Sequence, residues 1–281
     1  MRKGVPLQSH GGGGRLQQSG TCGLRAGKGR QVYQRRTYRR LCGREDFIYF
    51  RAAYKETDLY VGLPQEHHRP EWPHITRNSI RVYRRQLEKY IAGHPDFLHA
   101  LTPIPVGDEA PEIVRIMGRA ARTAGVGPMA AVAGAMAELV ARDLMGTSGE
   151  IYIENGGDIY LNSRRPCFIG VHAGSSPLSN RLAIKIQPRL CPLGVCTSSG
   201  TVGHSLSLGR ADAAVILAPS AALADAVATA AGNLVQKPED VEKAALWAAR
   251  VPGVLGALII AEEKMALWGS VELVPWERTD G

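Results

Sequence analysis

Two helical segments that are unusually rich in alanine constrain the fold most strongly. Residues 129–145 have a helical pattern in which alanine is so frequent that the helix must pack closely against a neighbouring element. A second alanine-rich helix is predicted at 220–233, where Ser220 is a typical N-terminal capping residue. Short strand patterns precede and follow the helices without regular β-α-β alternation. This order favours an α+β fold, a single domain of mixed sheets flanked by helices.

The remaining elements are predicted from hydrophobic periodicity and turn residues. With 44% hydrophobic residues, the chain can bury a sizeable core between them. Further helices are expected at 75–92, 109–124 and 239–250. Strands are expected at 47–54, 59–63, 168–172, 182–186 and 213–217, a hairpin at 150–161, and a second hairpin that pairs 254–261 with 264–274.

Positive charge is concentrated at the N-terminus. The first 44 residues contain 11 Lys and Arg and no Asp or Glu, which leaves 23 basic against 26 acidic residues in the rest. The formal charge of +8 therefore belongs to this stretch, and the body of the chain is mildly acidic. Nucleic acid is for this reason not an expected partner. Residues 1–31 are interpreted as a disordered basic extension before a folded domain at 32–281.

Several classes of protein are excluded by what the sequence lacks. No apolar run is long enough to span a membrane and no signal peptide is recognisable, so a cytoplasmic protein without a membrane partner is expected. The five cysteines are odd in number and do not suit a disulfide framework. The chain also has no Walker-type phosphate loop, no nucleophile elbow around Ser198 or Ser199, and no zinc-type spacing of Cys and His.

The first of three polar segments that remain is Glu154-Asn155-Gly156-Gly157-Asp158. Asn-Gly between alternating strands predicts a tight hairpin turn, which would explain part of the segment. However, a turn alone does not need a Glu, a second Gly and an Asp. Glycines let backbone N–H groups approach a phosphate, and carboxylates can hold a polar ligand or a metal ion. Both interpretations stay open on these residues alone.

The second segment runs from residue 194 to residue 205 and places a run of hydroxyls between glycines. Such a run offers hydrogen-bond donors and exposed backbone to an anion. His204 adds the one side chain of the segment that titrates near neutrality. A Ser- and Thr-rich loop with a solvated His is the alternative interpretation.

The third segment, at 224–230, places Asp225 and Thr229 four residues apart on one face of a predicted helix. Their carboxylate and hydroxyl oxygens would suit Mg²⁺, which prefers hard oxygen ligands. The surrounding alanines would let a ligand or backbone come close. Alternatively, Asp225 is stabilised near the start of its own helix by the macrodipole, beside an incidental Thr.

These three segments, in this order, resemble the ApbE superfamily, whose best-known members are Mg²⁺-dependent FAD:protein FMN transferases. Those enzymes carry an Asn-x-Gly-Gly-Asp motif, a Thr-Ser-Gly element that leads to a His, and a closing Ala-Asp-Ala-x-Ala-Thr helix. The counterparts here are residues 155–158, 197–204 and 224–230. The chain is still more similar to an ApbE-like branch of bacteria and archaea, and this likeness extends over residues 33–276.

The resemblance implies an α+β fold of the transferase type and a set of ligand contacts. Mg²⁺ is expected between Asp225, Thr229 and the diphosphate of FAD, with His204 as the catalytic residue. In the transferases the cation polarises the diphosphate, AMP leaves, and FMN remains on a Ser or Thr of an acceptor protein. The expected partners are therefore a phosphorylated flavin ligand and an acceptor protein. The residues expected to contact the cofactor are Asn155, Gly156, Gly157, Asp158, Thr197, Ser198, Ser199, Gly200, Gly127 and Met129.

The chain departs from the transferases after the His. An Asp-Pro pair that usually follows is replaced by Ser207 and Leu208, which removes a potential general base or orienting group. Asp212 lies nearby in the sequence and could replace it. Three functions therefore stay open: a Mg²⁺-dependent enzyme that acts on FAD, a flavin- or nucleotide-binding module without catalysis, and an enzyme for a different small anionic substrate. A homodimer is compatible with the closely packing alanine-rich helices.

Overall fold

The computed structural model describes residues 44, 46–146, 149–201 and 208–276. In this part of the chain two strands come first, followed by four helices, six strands, two helices and three strands. The order lacks β-α-β alternation, as predicted. The extension at 1–31 and the candidate catalytic residue His204 lie outside the described residues, and the expectations for both stay predictions.

A large antiparallel sheet lies at the centre of the described fold, and a smaller antiparallel sheet packs on one of its faces. In spatial order the large sheet contains β1 (Phe47–Tyr54), β2 (Thr57–Pro64), β3 (Ile151–Asn155), β4 (Asp158–Asn162), β7 (Leu193–Ser198), β8 (Ala213–Ala218), β9 (Gly256–Ala261) and β10 (Lys264–Gly269). The small sheet contains β11 (Glu272–Pro275), β6 (Leu182–Ile186) and β5 (Cys167–Gly170).

The helices cover the opposite face of the large sheet and share a second core with it. They are α1 (Trp72–Gly93), α2 (Asp96–His99), α3 (Glu112–Ala124), α4 (Val132–Leu144), α5 (Ala221–Leu234) and α6 (Val241–Ala248), and a 3₁₀ turn at Pro128–Ala131 leads into α4. The central strands are therefore buried on both faces. In β8, Ala214 and Ile216 face the helices, whereas Val215 and Leu217 face the small sheet. This explains why β8 and β9 are apolar throughout.

The α+β prediction is confirmed, and most predicted elements occur within a few residues of their expected bounds. Two expectations were wrong. No strand was predicted in the segment that begins at residue 194, which was interpreted as an anion-binding segment or a loop, but its first part is β7, a central strand. The stretch at 264–274 is not one strand, because the chain turns at Gly269, with φ of 73°, and continues as β11 in the small sheet.

The alanine-rich helices α4 and α5 pack against each other within one chain. They meet where Gly134 of α4 and Gly194 of β7 both approach Ala221, the first residue of α5. A Cβ atom on Gly134 would lie 2.2 Å from the carbonyl oxygen of Ala221, and one on Gly194 would lie 2.4 Å from its Cα atom. The close packing predicted for residues 129–145 is therefore confirmed, and it is satisfied inside the chain rather than by a second copy.

None of the single helices in the described ranges is both long and apolar enough to cross a membrane. Two consecutive helical segments, Glu112–Ala124 and Pro128–Leu144, are long and apolar enough only when they are counted together, and the chain bends by 106° between them. Most residues of both segments are buried in the core beneath the helices.

The N-terminus of α5 is held by Ser220 and by a buried carboxylate. The Ser220 hydroxyl accepts a hydrogen bond from the N–H of Leu223 at 3.3 Å and donates one to Glu138 at 2.8 Å. Arg142, one turn further along α4, forms an ion pair with the other oxygen of Glu138. Helix α5 is thus anchored to α4 by polar contacts as well as by packing.

We expect Ser220→Ala to lower the free energy of unfolding by about 1–2 kcal/mol, because the cap is lost and Glu138 loses a donor. Urea denaturation would measure the change. Ser220→Thr keeps the hydroxyl and should stay within about 0.5 kcal/mol of the wild type. Equal destabilisation by Ala and Thr would contradict a capping role.

Candidate functional site

The turn between β3 and β4 is a tight hairpin of two glycines. Asn155 pairs with Asp158, and both glycines between them have positive φ, 71° at Gly156 and 108° at Gly157. This pattern is that of a type I′ turn, which suits the twist of the flanking strands. Glu154 fixes the turn further, because its carboxylate accepts a hydrogen bond from the N–H of Gly157 at 2.9 Å. The hairpin interpretation of the segment is therefore correct, and the acidic side chains remain to be explained.

Asn155 and Asp158 connect the turn to its surroundings. The side-chain amide of Asn155 donates a hydrogen bond to the carbonyl of Ala133, at the start of α4, at 3.1 Å. Asp158 is only 7% exposed and faces the thiol of Cys196 and the backbone N–H of Thr197 on β7. One of its carboxylate oxygens, Oδ1, is buried and has no hydrogen-bond partner among the described residues. A buried oxygen without a partner is unfavourable and calls for a proton, a cation or a ligand.

Asp225 lies on α5 but caps a different helix. Its Oδ2 atom accepts a hydrogen bond from the N–H of Gly134 at 2.8 Å, and the N–H of Ala133 also points to the carboxylate. These N–H groups belong to the first turn of α4, where backbone donors have no partner within the helix. Stabilisation by the macrodipole of its own helix is therefore not the structural role of Asp225. Thr229 lies one turn further along α5 and is half-buried.

Asp158 and Asp225 form a buried pair of carboxylates, which we call the carboxylate pair. Burial raises the pKa of Asp158 well above its usual range, and the charges of Asp225 and Glu154 raise it further. Burial also raises the pKa of Asp225 to about 7, although the N–H groups of Gly134 and Ala133 oppose this shift. Two carboxylates in one buried place disfavour each other's ionisation. Without a bound cation, the pair therefore retains a proton near neutral pH.

The carboxylate pair predicts an unusual pH dependence of stability for the metal-free protein. The folded chain keeps a proton up to about pH 7 at Asp225, whereas the unfolded chain loses it near pH 4. More protons are bound in the folded state over this window, so the free energy of unfolding should fall as the pH rises from about 4 to 7.

Urea denaturation in EDTA at intervals between about pH 5 and 8 would measure this decrease. Asp225→Asn removes one titrating group and should flatten the curve. A free energy of unfolding that rises over this range in the wild type would contradict the assignment.

The hydroxyl-rich segment continues from β7. Thr197 and Ser198 end the strand beside the carboxylate pair and are half-buried, as is Ser199. The N–H of Gly200 donates to the carbonyl of Ala211 at 2.8 Å, and a Cβ atom on Gly200 would lie 2.0 Å from the carbonyl oxygen of Gly209. Gly200 is thus required for close packing of two backbone segments.

Both carboxylate oxygens of Asp212 accept hydrogen bonds from other parts of the fold. Its Oδ1 atom accepts a hydrogen bond from the Thr201 hydroxyl at 2.8 Å, and its Oδ2 atom accepts one from the N–H of Glu262 at 2.7 Å. The Thr201 hydroxyl also lies 3.3 Å from that of Ser199. Because both oxygens are occupied and the residue is buried, Asp212 is poorly suited to replace the Asp that is missing after His204.

Gly127 and Met129 lie immediately before α4. A Cβ atom on Gly127 would lie 1.7 Å from the carbonyl oxygen of Ala100, so the glycine is needed for backbone packing. Met129 is half-buried in the 3₁₀ turn, which packs against α5. Both residues therefore flank the start of α4, but the packing of Gly127 is explained without a ligand.

The structure brings some of the predicted site residues together and separates others. Four of them lie around the first turn of α4, namely Asn155, Asp158, Thr197 and Asp225. Gly200 instead contacts the segment at 208–212, and Ser199 contacts Thr201. No role was predicted for Cys196, whose thiol donates to the carbonyl of Ala221 at 3.2 Å, or for Gly134. A glycine inside an alanine-rich helical pattern is a signal of close approach that could have indicated Gly134.

The described residues contain no ready-made metal site of three or more His, Cys, Asp or Glu side chains. A surface cleft of about 450 Å³ between α1, α3 and α4 involves none of the predicted site residues. In this cleft Ser79 and Tyr83 donate hydrogen bonds to Asp143. The carboxylate pair is thus a separate feature from the cleft.

The arrangement of these motifs agrees with a family match. Residues 39–267 match the family model described as AbpE bacteria. The chain belongs to this family. A UPF0280 protein of Methanosarcina acetivorans is 46% identical over 198 residues, 69% of this chain and 78% of the relative. A UPF0280 protein of Methanocaldococcus jannaschii is 40% identical over 234 residues, 81% and 93% of the two chains. UPF0280 membership therefore extends over most of the described fold.

Two solved structures share the fold of this AbpE family member. The flavinyl transferase ApbE of Pseudomonas stutzeri, in its apo form, superimposes with a TM-score of 0.53 and 14% identity, over 79% of this chain and 93% of that one. The ApbE protein of Thermotoga maritima has the same TM-score and identity, over 82% and 97%. At this identity the likeness establishes the fold, so the resemblance to the ApbE superfamily is confirmed at that level.

Proposed function

We propose that this UPF0280 protein binds FAD, or a related phosphorylated ligand, together with Mg²⁺ beside the carboxylate pair. The observation that carries the proposal is the buried Oδ1 atom of Asp158, which has no partner among the described residues and lies close to a second buried carboxylate, Asp225. A divalent cation would neutralise both charges and supply the missing partner. The fold shared with the flavinyl transferase ApbE of Pseudomonas stutzeri supports flavin as the ligand.

The residues present fit Mg²⁺ by the chemistry of their donor atoms. Asp158, Asp225 and Thr229 offer carboxylate and hydroxyl oxygens, the type of ligand that Mg²⁺ prefers. Mg²⁺ is commonly held by one or two carboxylates, with phosphates and water as its other ligands. A site with fewer than three acidic or soft side chains is therefore compatible with a cation that binds together with a diphosphate.

Each part of the site has a distinct task in this proposal. The glycine turn at 156–157 leaves backbone open beside the carboxylates, and a Cβ atom on Gly157 would meet nothing within 4 Å. The hydroxyl of Ser198, which lies on the same helix-facing side of β7 as Cys196, would donate to phosphate oxygens. Glu154 and Asn155 would hold the turn against α4. Bound Mg²⁺ would supply neutralisation of charge on the diphosphate. His204 is the proposed proton carrier if the diphosphate is cleaved.

Binding without catalysis is the second candidate function. Both carboxylate oxygens of Asp212 already accept hydrogen bonds, so Asp212 does not replace the Asp that the transferases carry where this chain has Ser207. The loss of that group favours binding without catalysis. In this case the site would hold the ligand and leave its diphosphate intact. A different small anionic substrate on the same fold is the remaining alternative.

Product analysis separates these possibilities. The full chain is incubated with FAD and Mg²⁺, and FAD, FMN and AMP are quantified by chromatography, with a parallel check for flavin bound covalently to protein. AMP with free FMN would indicate diphosphate cleavage, and AMP with protein-bound flavin would indicate transfer. Intact FAD that stays bound would favour the binding module. Neither binding nor products would reject flavin as the ligand.

A further inference from the structure

The two sheets of the described fold have four edge strands, and three of them carry features that prevent further pairing. Strand β1 has the charged residue Arg51 in its middle. Strand β5 has four residues, and β11 has four residues that include Glu272 and Pro275. Charges, proline and short length are the usual means by which proteins protect sheet edges. Strand β10 has six residues, α6 packs against it, and its one charged residue, Lys264, lies at its start.

Within the described part of the chain, one hydrogen-bonding side of β10 has no partner strand. In the pairing with β9, the N–H of Ser270 donates to the carbonyl of Leu255 at 2.8 Å, and Lys264 lies opposite Ala261. Residues in an antiparallel pair alternate between bonding towards the partner and bonding away from it. Even-numbered residues of β10 therefore bond to β9, and the N–H and C=O groups of Met265 and Leu267 point outward along the edge.

The side chains on this edge are apolar and exposed. Three of the ten exposed large apolar side chains among the described residues, namely Met265, Leu267 and Trp268, lie on this one strand. Met265 is 43% and Leu267 is 50% exposed. They lie opposite Ile260 and Leu258 of β9, which are buried between the two sheets. The apolar surface of that core therefore continues through Met265 and Leu267 to the open edge of the large sheet.

We propose that β10 is the interface of a homodimer in which two copies pair antiparallel and join their large sheets. A two-fold axis through Ala266 places Met265 opposite Leu267 of the second copy, and Leu267 opposite its Met265. This register satisfies the outward N–H and C=O groups of both residues in two reciprocal pairs. It also brings four apolar side chains together on one face. The strand is thus complementary to itself in both backbone and side chains, which favours a second copy over an unrelated chain.

The size of the strand limits the strength of this dimer. Six residues span only about 20 Å. Pairing along one strand of this length buries less than the roughly 800 Å² that each partner buries in a standard interface. We therefore expect a reversible dimer with a Kd of about 10–100 µM.

Sedimentation of the full chain over a range of concentrations tests the proposal. The wild type should shift from 30.3 kDa towards twice this mass, and Met265→Lys/Leu267→Lys should weaken dimerisation at least about tenfold. The matched control is Ile75→Lys/Val82→Lys, which changes two equally exposed apolar residues on α1 and should dimerise like the wild type. A monomeric wild type, an unaffected β10 variant or a monomeric control would each overturn the proposal.

Cysteine cross-linking tests the register and does not depend on the lysine variants being folded. Opposed residues of a hydrogen-bonded antiparallel pair have Cα atoms about 5.5 Å apart, within reach of a disulfide. With oxidised glutathione, Met265→Cys/Leu267→Cys should give a dimer that reducing agent dissolves, while each single variant and the wild type should not. Cross-linking in Leu267→Cys alone, or none in the double variant, would reject this register.

Discussion

Asp225→Asn is expected to weaken Mg²⁺-dependent binding of FAD by about 100-fold while the fold is retained. The amide oxygen of Asn can still accept the hydrogen bond that the N–H of Gly134 donates to Asp225 at 2.8 Å. The negative charge is lost, however, and with it half of the carboxylate pair that would hold the cation. Flavin fluorescence measures the affinity, and thermal denaturation of the same samples shows whether the fold is intact.

A second capping carboxylate provides the control for this variant. Asp240 accepts hydrogen bonds from the N–H groups of Gln236 and Lys237 at 3.0 and 3.1 Å, and it lies on the surface away from the carboxylate pair. Asp240→Asn should leave FAD binding unchanged. Wild-type affinity in Asp225→Asn would mean that Asp225 is only a cap of α4, and the metal assignment would then be wrong.

Gly194→Ala is expected to lower the free energy of unfolding by about 3 kcal/mol, because the added methyl group overpacks the core. The new Cβ atom would lie 2.4 Å from the Cα atom and 2.6 Å from the nitrogen of Ala221. These are backbone atoms at the start of α5, so no side-chain rotation can relieve the contact. Strand β7 and α5 would have to separate. Urea denaturation measures the loss.

The control for this prediction is Gly93→Ala, at the end of α1. A Cβ atom there would meet nothing within 4 Å, so the stability should change by no more than about 0.5 kcal/mol. If both variants were equally stable, α5 would not be fixed against β7 as described.

The fold was predictable where local pattern and burial agree. A tight hairpin turn was predicted from Asn155-Gly156, and the hairpin is confirmed, although Asn155 pairs with Asp158 and the two turn residues are Gly156 and Gly157. Strand β7 was missed because Gly194, which its contact with α5 requires, and the terminal Thr197 and Ser198 resemble a loop when the sequence is considered alone. A glycine that tertiary packing requires thus made a central strand resemble a loop in the sequence.

The sequence indicated candidate site residues but not the contacts that they make in the fold. Asp225 was singled out by its spacing to Thr229, yet its partner Gly134 lies 91 residues away in the sequence. No local pattern could show that α4 would begin beside Asp225. Asp212 illustrates the same limit, since its position suggested a catalytic substitute and its contacts with Thr201 and Glu262 give it a structural role.

Titration of the full chain with FAD near pH 8, with Mg²⁺ and with EDTA, tests the central claim most directly. At this pH the carboxylate pair can lose its proton to a cation, since the pKa of Asp225 is about 7. We predict saturable binding in Mg²⁺ and at least tenfold weaker binding in EDTA. Equal affinity under both conditions, or no binding under either, would contradict a Mg²⁺-dependent flavin site at Asp158 and Asp225.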